Sequence, residues 1–319
     1  MVTPVVAAAY AECLRLARSH YENFPVASFL MPKAARPHVV AIYAFARIAD
    51  DFADEGSRPA AERLALLNDW ERRLDQAAEG CVNPSGDAQH DAVFVALAST
   101  LRHVGAHSSA LHGATPVLHV DGAQGFQPRG SLHALLADLL SAFRQDVTTT
   151  RYETWDDVLD YCRRSANPIG RLMLLVTGNA GPAANAKSDA VCTALQLTNF
   201  WQDLAVDWPR GRLYVPLEVV RAHGADLADL DKGVLTPQWR EVMREVGSRT
   251  RQLFDAGRGV ADHVPGRLRL ELRATWLGGT RILDRLAEAD YDVFQQRPTL
   301  TRRDAPGILM DAVTWRARS

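Results

Sequence analysis

The 319-residue chain is long enough for one large domain or two small ones. Its 47% hydrophobic and 23% charged residues are typical of a protein with a buried core, which excludes intrinsic disorder for most of its length. The 36 lysines and arginines nearly balance 38 aspartates and glutamates, which argues against a nucleic-acid-binding protein, and no apolar stretch reaches the roughly 20 residues that span a bilayer.

The N-terminal segment and the cysteines indicate a cellular compartment. No basic segment precedes the first apolar run, so we expect no secretory signal. The four cysteines are widely separated and form no CxxC pair, which argues against a zinc site and a disulfide framework. We therefore expect a cytoplasmic protein.

Helical periodicity dominates the chain. It predicts helices over 31–54, 60–78, 90–101, 132–143, 154–166, 169–179, 188–207, 237–264 and 266–289. The only strand candidate is GRLYVPLEVV at 211–220, and its proline argues against a strand. The sequence therefore predicts an all-α fold and a single domain over 1–319.

The segment 103–130 departs from this pattern. It is weakly periodic, holds four histidines and ends in a glycine-rich stretch. His103 and His107 have metal-ligand spacing but lack a third ligand nearby, so a loop insertion is favoured over a metal site.

Two helices end in paired carboxylates. Asp50 and Asp54 lie in RIADDFAD, and Asp203 and Asp207 lie in NFWQDLAVD. Residues four apart share one helix face, where two like charges repel. The helix dipole does not help acidic groups at a C-terminal end, so a cation such as Mg²⁺, which takes oxygen ligands, is the expected compensation.

The same spacing occurs twice elsewhere with a simpler explanation. Asp87 of the Asp87/Asp91 pair lies in the loop NPSGD, where a capping or turn role suffices. Asp156, which is four residues before Asp160, follows Thr154 in the first turn of a helix, where negative charge suits the dipole.

Each of the first two pairs extends into a polar row along an otherwise apolar helix. For one helix alone, the solvated face of an amphipathic helix explains such a row equally well. Two matching rows favour a hydrophilic cleft within a helical bundle. The rows comprise Tyr43, Arg47, Asp50 and Asp54 on one helix and Gln196, Asn199, Asp203 and Asp207 on the other.

Three blocks of the chain resemble the signature blocks of the squalene and phytoene synthase family. They are NFPVASFLMPKAARPHVVAIYAFARIADDFADEG, RYETWDDVLDYCRRSANPIGRLML and ALQLTNFWQDLAVDWPRGRLYVPLE. The resemblance covers roughly residues 20 to 300 and implies an isoprenoid-synthase-type helical bundle. In this family two aspartate-rich motifs face each other across a central cavity and bind prenyl diphosphates through Mg²⁺.

The resemblance assigns roles to individual residues. As Mg²⁺ ligands it implies Asp50, Asp54, Asn199, Asp203 and Asp207, with Arg47 completing the catalytic set. As substrate-binding residues it implies Tyr43, Ser28, Gln196, Asn199, Gln202, Arg212 and Tyr214, although a helix N-cap role explains Ser28 equally well. Arg297 in FQQRPTL is a further candidate for reaching over the cavity.

Two motifs place the chain within the family. NFPVAS and NFWQD most resemble the branch of bacterial hopanoid biosynthesis that converts presqualene diphosphate to hydroxysqualene. Members that condense two farnesyl diphosphates generally carry Arg where this chain has Gln202, and an acidic residue where it has Val206. The implied reaction is ionisation of one diphosphate, rearrangement of the carbocation and capture by water.

Two alternatives stay open. One is head-to-head condensation of two prenyl diphosphates to presqualene diphosphate, squalene or a carotenoid precursor. The other is a non-catalytic scaffold, although such a protein is expected to have lost paired carboxylates. The apolar product favours peripheral contact with the inner membrane, and the substrate implies a partner enzyme that makes presqualene diphosphate.

Overall fold

The computed structural model describes residues 3–19, 30–54, 58–111 and 131–315, without the side chains of 107–111. Within these ranges the chain forms thirteen α-helices and two short 3₁₀-helices, and no strand. The all-α prediction is confirmed. Arg151 and Leu213 form an isolated bridge at the candidate strand 211–220. None of the described helices combines the length and apolar composition needed to cross a bilayer.

The helices form two compact units. Unit 1 comprises Met1–Thr148 and Arg171–Ala180, and unit 2 comprises Thr149–Gly170 and Gly181–Ser319. The division falls inside α7 (Asn167–Val176). The single-domain organisation over 1–319 stays a prediction.

Unit 1 is arranged around α2, which packs against its four companion helices. The helices are α1 (Pro4–Ser19), α2 (Arg36–Asp54), α3 (Ala60–Ala78), α4 (Ala88–Leu111) and α5 (Leu132–Thr148). Phe45, Trp70 and Phe94 form the aromatic centre, and all three are at most 1% exposed. The Trp70 indole donates to the Phe45 carbonyl at 3.2 Å, so the polar edge of the buried ring is satisfied.

Unit 2 is arranged around the 26-residue helix α8, which packs against α6, α11 and α12. Its helices are α6 (Trp155–Ser165), α8 (Pro182–Asp207), α9 (Leu217–Ala222), α10 (Ala228–Asp231), α11 (Pro237–Gly257), α12 (Gly266–Glu288) and α13 (Ala305–Thr314), with 3₁₀-helices at Trp208–Arg210 and Arg258–His263. Fully buried Trp201 donates its indole N–H to Thr250 Oγ1 at 2.8 Å, which joins α8 to α11.

One helix was missed by the prediction, and several helix boundaries differ from it, among them the start of α2. Helix α1 was not predicted, although its buried residues Ala9, Cys13, Leu16 and Ala17 follow helical spacing. Helix α2 begins at Arg36 instead of position 31 because Pro37 fits the first turn, where its missing N–H is not needed.

The predicted loop at 103–130 is wrong in its first third. Helix α4 continues ten residues past 101 to Leu111. Val104 is buried there, and the His103 ring stacks on His38 at 4.2 Å, so tertiary packing overrides weak local helix preference. Residues 112–130 lie outside the described residues, and the insertion stays a prediction.

Candidate active site

The first predicted polar row follows one face of α2 in unit 1. Tyr43, Arg47 and Asp50 are half-buried, and Asp54, the last residue of the helix, is exposed. The remaining directions of the helix are buried in the core, through residues that include Val39, Val40, Ala41, Ile42, Ala44, Phe45, Ile48, Ala49 and Ala53. The packing of α2 therefore presents this row at the surface of unit 1.

Arg47 organises the carboxylates of this row. Its Nη1 lies 3.1 Å from Asp50 Oδ2, and its Nη2 lies 2.5 Å from Asp51 Oδ1. Asp51 was not predicted as a site residue; its position four after Arg47 is the signal that identifies it. Burial raises the pKa of the Tyr43 hydroxyl, so this group stays a neutral hydrogen-bond donor near neutral pH.

The second predicted row follows α8 in unit 2. Gln196, Asp203 and Asp207 are half-buried and Asn199 is exposed, while Leu197, Phe200, Trp201 and Leu204 on other directions of the helix are buried. Asp207 ends the helix, as Asp54 ends α2. Both rows thus place carboxylates where the helix dipole does not stabilise them.

Asp203 has a basic partner from the C-terminal part of the chain. Arg297 Nε lies 2.5 Å from Asp203 Oδ1, which brings two predicted residues together across 94 positions of sequence. Gln202 points elsewhere. It is 6% exposed and donates its side-chain amide to the Pro298 carbonyl. Its observed contact is therefore internal to unit 2, and a substrate contact by Gln202 stays a prediction.

Arg212 and Tyr214 follow α8 in an extended segment that backbone hydrogen bonds fix. Gly211 at φ 81° turns the chain after the 3₁₀-helix, a conformation that favours glycine. Arg212 N then donates to Asp207 O at 3.0 Å, and Leu213 N donates to Thr150 O at 2.9 Å. Both predicted side chains are half-buried, and they lie within a few residues of the second row.

The competing aspartate pairs have the structural roles expected for them. Asp87 accepts the backbone N–H groups of Gln89 and His90, each at 2.9 Å, at the start of α4. Asp157 forms a capping box with Thr154, and Asp160 pairs with arginines of its own helix. Asp87 thus caps the start of its helix as predicted, whereas Asp54 and Asp207 lie at the C-terminal ends of theirs.

The rows fit a hard divalent cation by their donor chemistry. Within the described residues no three His, Cys, Asp or Glu side chains form a preassembled metal cluster. Mg²⁺ does not require one, because it commonly takes one or two carboxylates, waters and substrate phosphates. Each row supplies such a pair of carboxylates. Ser28 lies outside the described residues.

The described chain thus combines an all-α architecture with two carboxylate rows on separate helices, α2 and α8. The profile of the squalene/phytoene synthase family matches residues 17–114 and 123–304. The chain belongs to this family, whose members act on prenyl diphosphates.

Individual relatives cover most of the chain. It is 35% identical over 280 residues to the hydroxysqualene synthase of Rhodopseudomonas palustris, covering 87% of this chain and 84% of the relative. It is 33% identical over 287 residues to that of Zymomonas mobilis, covering 88% and 82%. The crystal structure of squalene synthase HpnC from Alicyclobacillus acidocaldarius matches with a TM-score of 0.76 and 34% identity, covering 91% of this chain and 97% of that one. The fold is that of the all-α isoprenoid synthases.

Proposed function

We propose that this protein converts presqualene diphosphate to hydroxysqualene and releases diphosphate. The observation that carries the proposal is the pair of aspartate rows, each with an arginine beside a carboxylate, in a chain whose relatives include hydroxysqualene synthases. Carboxylates that hold a cation, together with arginines, suit the binding of a diphosphate and the neutralisation of its charge.

We propose Mg²⁺ as the cofactor. The residues that would hold it are Asp50 and Asp54 in the first row and Asn199, Asp203 and Asp207 in the second. When bound, Mg²⁺ supplies Lewis-acid stabilisation of the negative charge that develops on the departing diphosphate.

The remaining polar residues bind and orient the diphosphate in this proposal. Arg47 and Arg212 supply positive charge to its oxygens. Tyr43, Gln196 and Tyr214 supply hydrogen-bond donors, and Ser28 is assigned the same role. Such preorganised donors stabilise charge that appears on the leaving group as the carbon–oxygen bond breaks.

The reaction balances without a redox partner. The bond between the cyclopropylcarbinyl carbon and the diphosphate oxygen breaks, and the electron pair leaves with the diphosphate. The carbocation rearranges with ring opening, and water adds to it and loses a proton to give the alcohol. Buried aromatic side chains such as Tyr152, Tyr161 and Phe200 offer an apolar surface suited to excluding stray water.

Head-to-head condensation of two prenyl diphosphates is the second candidate. The relative described as a squalene synthase is the observation that favours it. Gln202 and Val206 argue against it by resemblance, because condensing relatives generally carry Arg and an acidic residue at these two positions. A non-catalytic scaffold is disfavoured because all four carboxylates are present.

We also propose a cytoplasmic location with peripheral contact to a membrane and supply of substrate by a partner enzyme that makes presqualene diphosphate. Helix α13 supports membrane contact. It buries Ala312 on one side and exposes Leu309, Met310 and Val313, which are 49%, 65% and 64% exposed, on the other. An apolar face on a surface helix is suited to a lipid interface.

Flotation with anionic vesicles tests membrane contact by α13. The double variant Met310→Ser and Val313→Ser should bind the vesicles less than the wild type does. Unchanged binding by the double variant would contradict the proposed contact.

Product analysis tests the reaction. The purified protein is given Mg²⁺ and either farnesyl diphosphate or presqualene diphosphate, with and without NADPH. We expect hydroxysqualene from presqualene diphosphate alone, unaffected by NADPH. Turnover of farnesyl diphosphate would support condensation instead, and no turnover by folded protein would support the scaffold.

Two aspartate variants, one in a carboxylate row and one outside both rows, test whether the activity depends on the rows. Asp203→Asn should reduce the rate at least a hundredfold, because it removes a carboxylate that would hold the cation opposite the departing diphosphate. Asp160→Asn is the control. Asp160 pairs with Arg163 and Arg164 on the surface of α6, and its loss should leave the rate within about twofold.

A further inference from the structure

The segment 297–304, which we name the C-terminal strap, is fastened at both ends within unit 2. At its start, Arg297 and Pro298 contact Asp203 and Gln202 of α8. Arg285 of α12 donates to the Thr299 carbonyl at 2.6 Å, and at the other end of the strap it pairs with Asp304 at 2.5 Å. The strap therefore has a defined path from α12 to the second aspartate row.

The two contacts to α8 differ in burial. Gln202 is 6% exposed, so its bond to the Pro298 carbonyl is protected from competition by water. Arg297 is 44% exposed and Asp203 is 21% exposed, so their ion pair borders solvent and can exchange partners. One contact thus fixes the backbone of the strap, and the adjacent one presents a guanidinium to the row.

We infer that Arg297 is a built-in counter-cation of Asp203 that a divalent cation must displace, and that Gln202 positions it through Pro298. The inference rests on the proposed function in one respect, the role of Asp203 as a cation ligand. The guanidinium neutralises part of the charge of the Asp203 carboxylate, and its positive charge repels a divalent cation that binds beside it. The second row therefore binds a metal ion weakly until a diphosphate arrives, because the diphosphate gives the displaced Arg297 a new anionic partner.

The first experiment measures Mn²⁺ binding to the second row without substrate, by electron paramagnetic resonance. Arg297→Gln should tighten Mn²⁺ binding by roughly two- to fivefold, the range expected for a partly exposed ion pair. Arg302→Gln removes an exposed arginine of the same strap and should leave the affinity unchanged. When Asp203→Asn is added to both the wild type and Arg297→Gln, the difference between their Mn²⁺ affinities should disappear. Equal Mn²⁺ affinity in the wild type and Arg297→Gln overturns the inference.

The second experiment measures whether Arg297, once displaced from Asp203, binds the diphosphate. In saturating Mn²⁺, Arg297→Gln should bind inorganic diphosphate about tenfold more weakly or worse, since it lacks a hydrogen bond between charged groups. Unchanged diphosphate affinity would contradict the transfer of Arg297 from Asp203 to the ligand.

The third experiment tests Gln202 as a positioning residue. Gln202→Met keeps the length of the side chain and removes the amide donor. It should also tighten Mn²⁺ binding, and adding it to Arg297→Gln should have no further effect, because both act through one contact. General loss of structure would weaken Mn²⁺ binding, so the direction separates positioning from damage. If folded Gln202→Met binds Mn²⁺ like the wild type, Gln202 does not position Arg297. None of these readouts depends on turnover, so they stand apart from the proposed reaction.

Discussion

Tyr214 lies flat on Phe200, with their ring centroids 3.7 Å apart and their planes 1° apart. Phe200 belongs to α8, between Asn199 and Asp203 of the second row, and Tyr214 belongs to the segment after the helix. The Tyr152 and Tyr161 rings lie within about 6 Å of Tyr214. Packing on three sides therefore sets the position of the Tyr214 ring before any ligand binds.

The first prediction separates the hydroxyl of Tyr214 from its ring. Tyr214→Phe keeps the stack, so its unfolding free energy should stay within about 1 kcal/mol of the wild type. If the hydroxyl donates to a diphosphate, KM should rise about tenfold. Steady-state kinetics and urea denaturation measure the two effects.

Tyr214→Ala is the matched variant without a ring. It should lower the unfolding free energy by roughly 3–5 kcal/mol, since it removes a large packed side chain. A wild-type KM in Tyr214→Phe would remove the hydroxyl from the diphosphate site and leave the ring with a packing role alone.

The second prediction concerns the residue that distinguishes this chain from condensing relatives. Gln202→Arg places a guanidinium at a position that is 6% exposed and already hydrogen-bonded to the Pro298 carbonyl. We expect the unfolding free energy to fall by about 1–3 kcal/mol. We expect no turnover of farnesyl diphosphate, because the side chain at position 202 is directed at Pro298 inside unit 2.

Val206→Glu provides the comparison, since it restores the acidic residue of condensing relatives at a position that is 41% exposed. Its unfolding free energy should stay within about 0.5 kcal/mol of the wild type. Product formation from farnesyl diphosphate by Gln202→Arg would show that this single side chain selects the reaction.

Much of this architecture follows from local pattern. Apolar spacing identified α2 and α8, and the position of the aspartates at the helix ends separated Asp50 and Asp203 from the capping aspartate Asp87. Such features depend on residues within one or two turns of each other. Sequence alone therefore predicts them well.

Contacts between distant parts of the chain were harder to predict. Arg297 was only a candidate because nothing local indicates that position 297 reaches position 203. The buried bond from Gln202 to Pro298 was missed for the same reason: which face of α8 is covered depends on a strap almost a hundred residues later. The end of α4 was also misplaced, since ring stacking between His103 and His38 offsets weak helix preference.

The third prediction tests the close packing that positions α8. A Cβ at Gly257 would lie 2.6 Å from Val191 Cγ2 and 2.9 Å from the Lys187 carbonyl oxygen, both on α8. The Lys187 carbonyl oxygen belongs to the backbone, so it cannot move away through a change of rotamer as a side chain can. Gly257→Ala should lower the unfolding free energy by about 1–3 kcal/mol.

Gly105→Ala is the control in α4, where a Cβ would meet no atom of a neighbouring element within 4 Å among the described residues. It should raise the unfolding free energy by roughly 0.5–1 kcal/mol, because alanine restricts the unfolded chain. Both values come from urea denaturation. If the two variants have equal unfolding free energies, α8 can move to make room for the Cβ at position 257 without loss of stability.

The fourth prediction is a pH dependence at the far end of the strap. Hydrogen bonds from Arg285, and then from the Thr301 backbone N–H, lower the pKa of the Asp304 carboxyl from 3.8 to about 2. Because the pKa in the folded state lies below that in the unfolded state, the charged carboxylate stabilises the fold above pH 4. This contribution should disappear as the pH falls from about 4 to about 2.

Thermal melting of the wild type and of Asp304→Asn at several pH values measures this contribution. Asp304→Asn should have the lower Tm at pH 6, and the difference should narrow steadily between pH 4 and pH 2. Asp69→Asn is the control, since Asp69 pairs only with the exposed Arg72 of its own helix among the contacts of the described chain. A Tm difference between Asp304→Asn and the wild type that stays constant down to pH 2 would show that Arg285 does not hold the strap through the charge of Asp304.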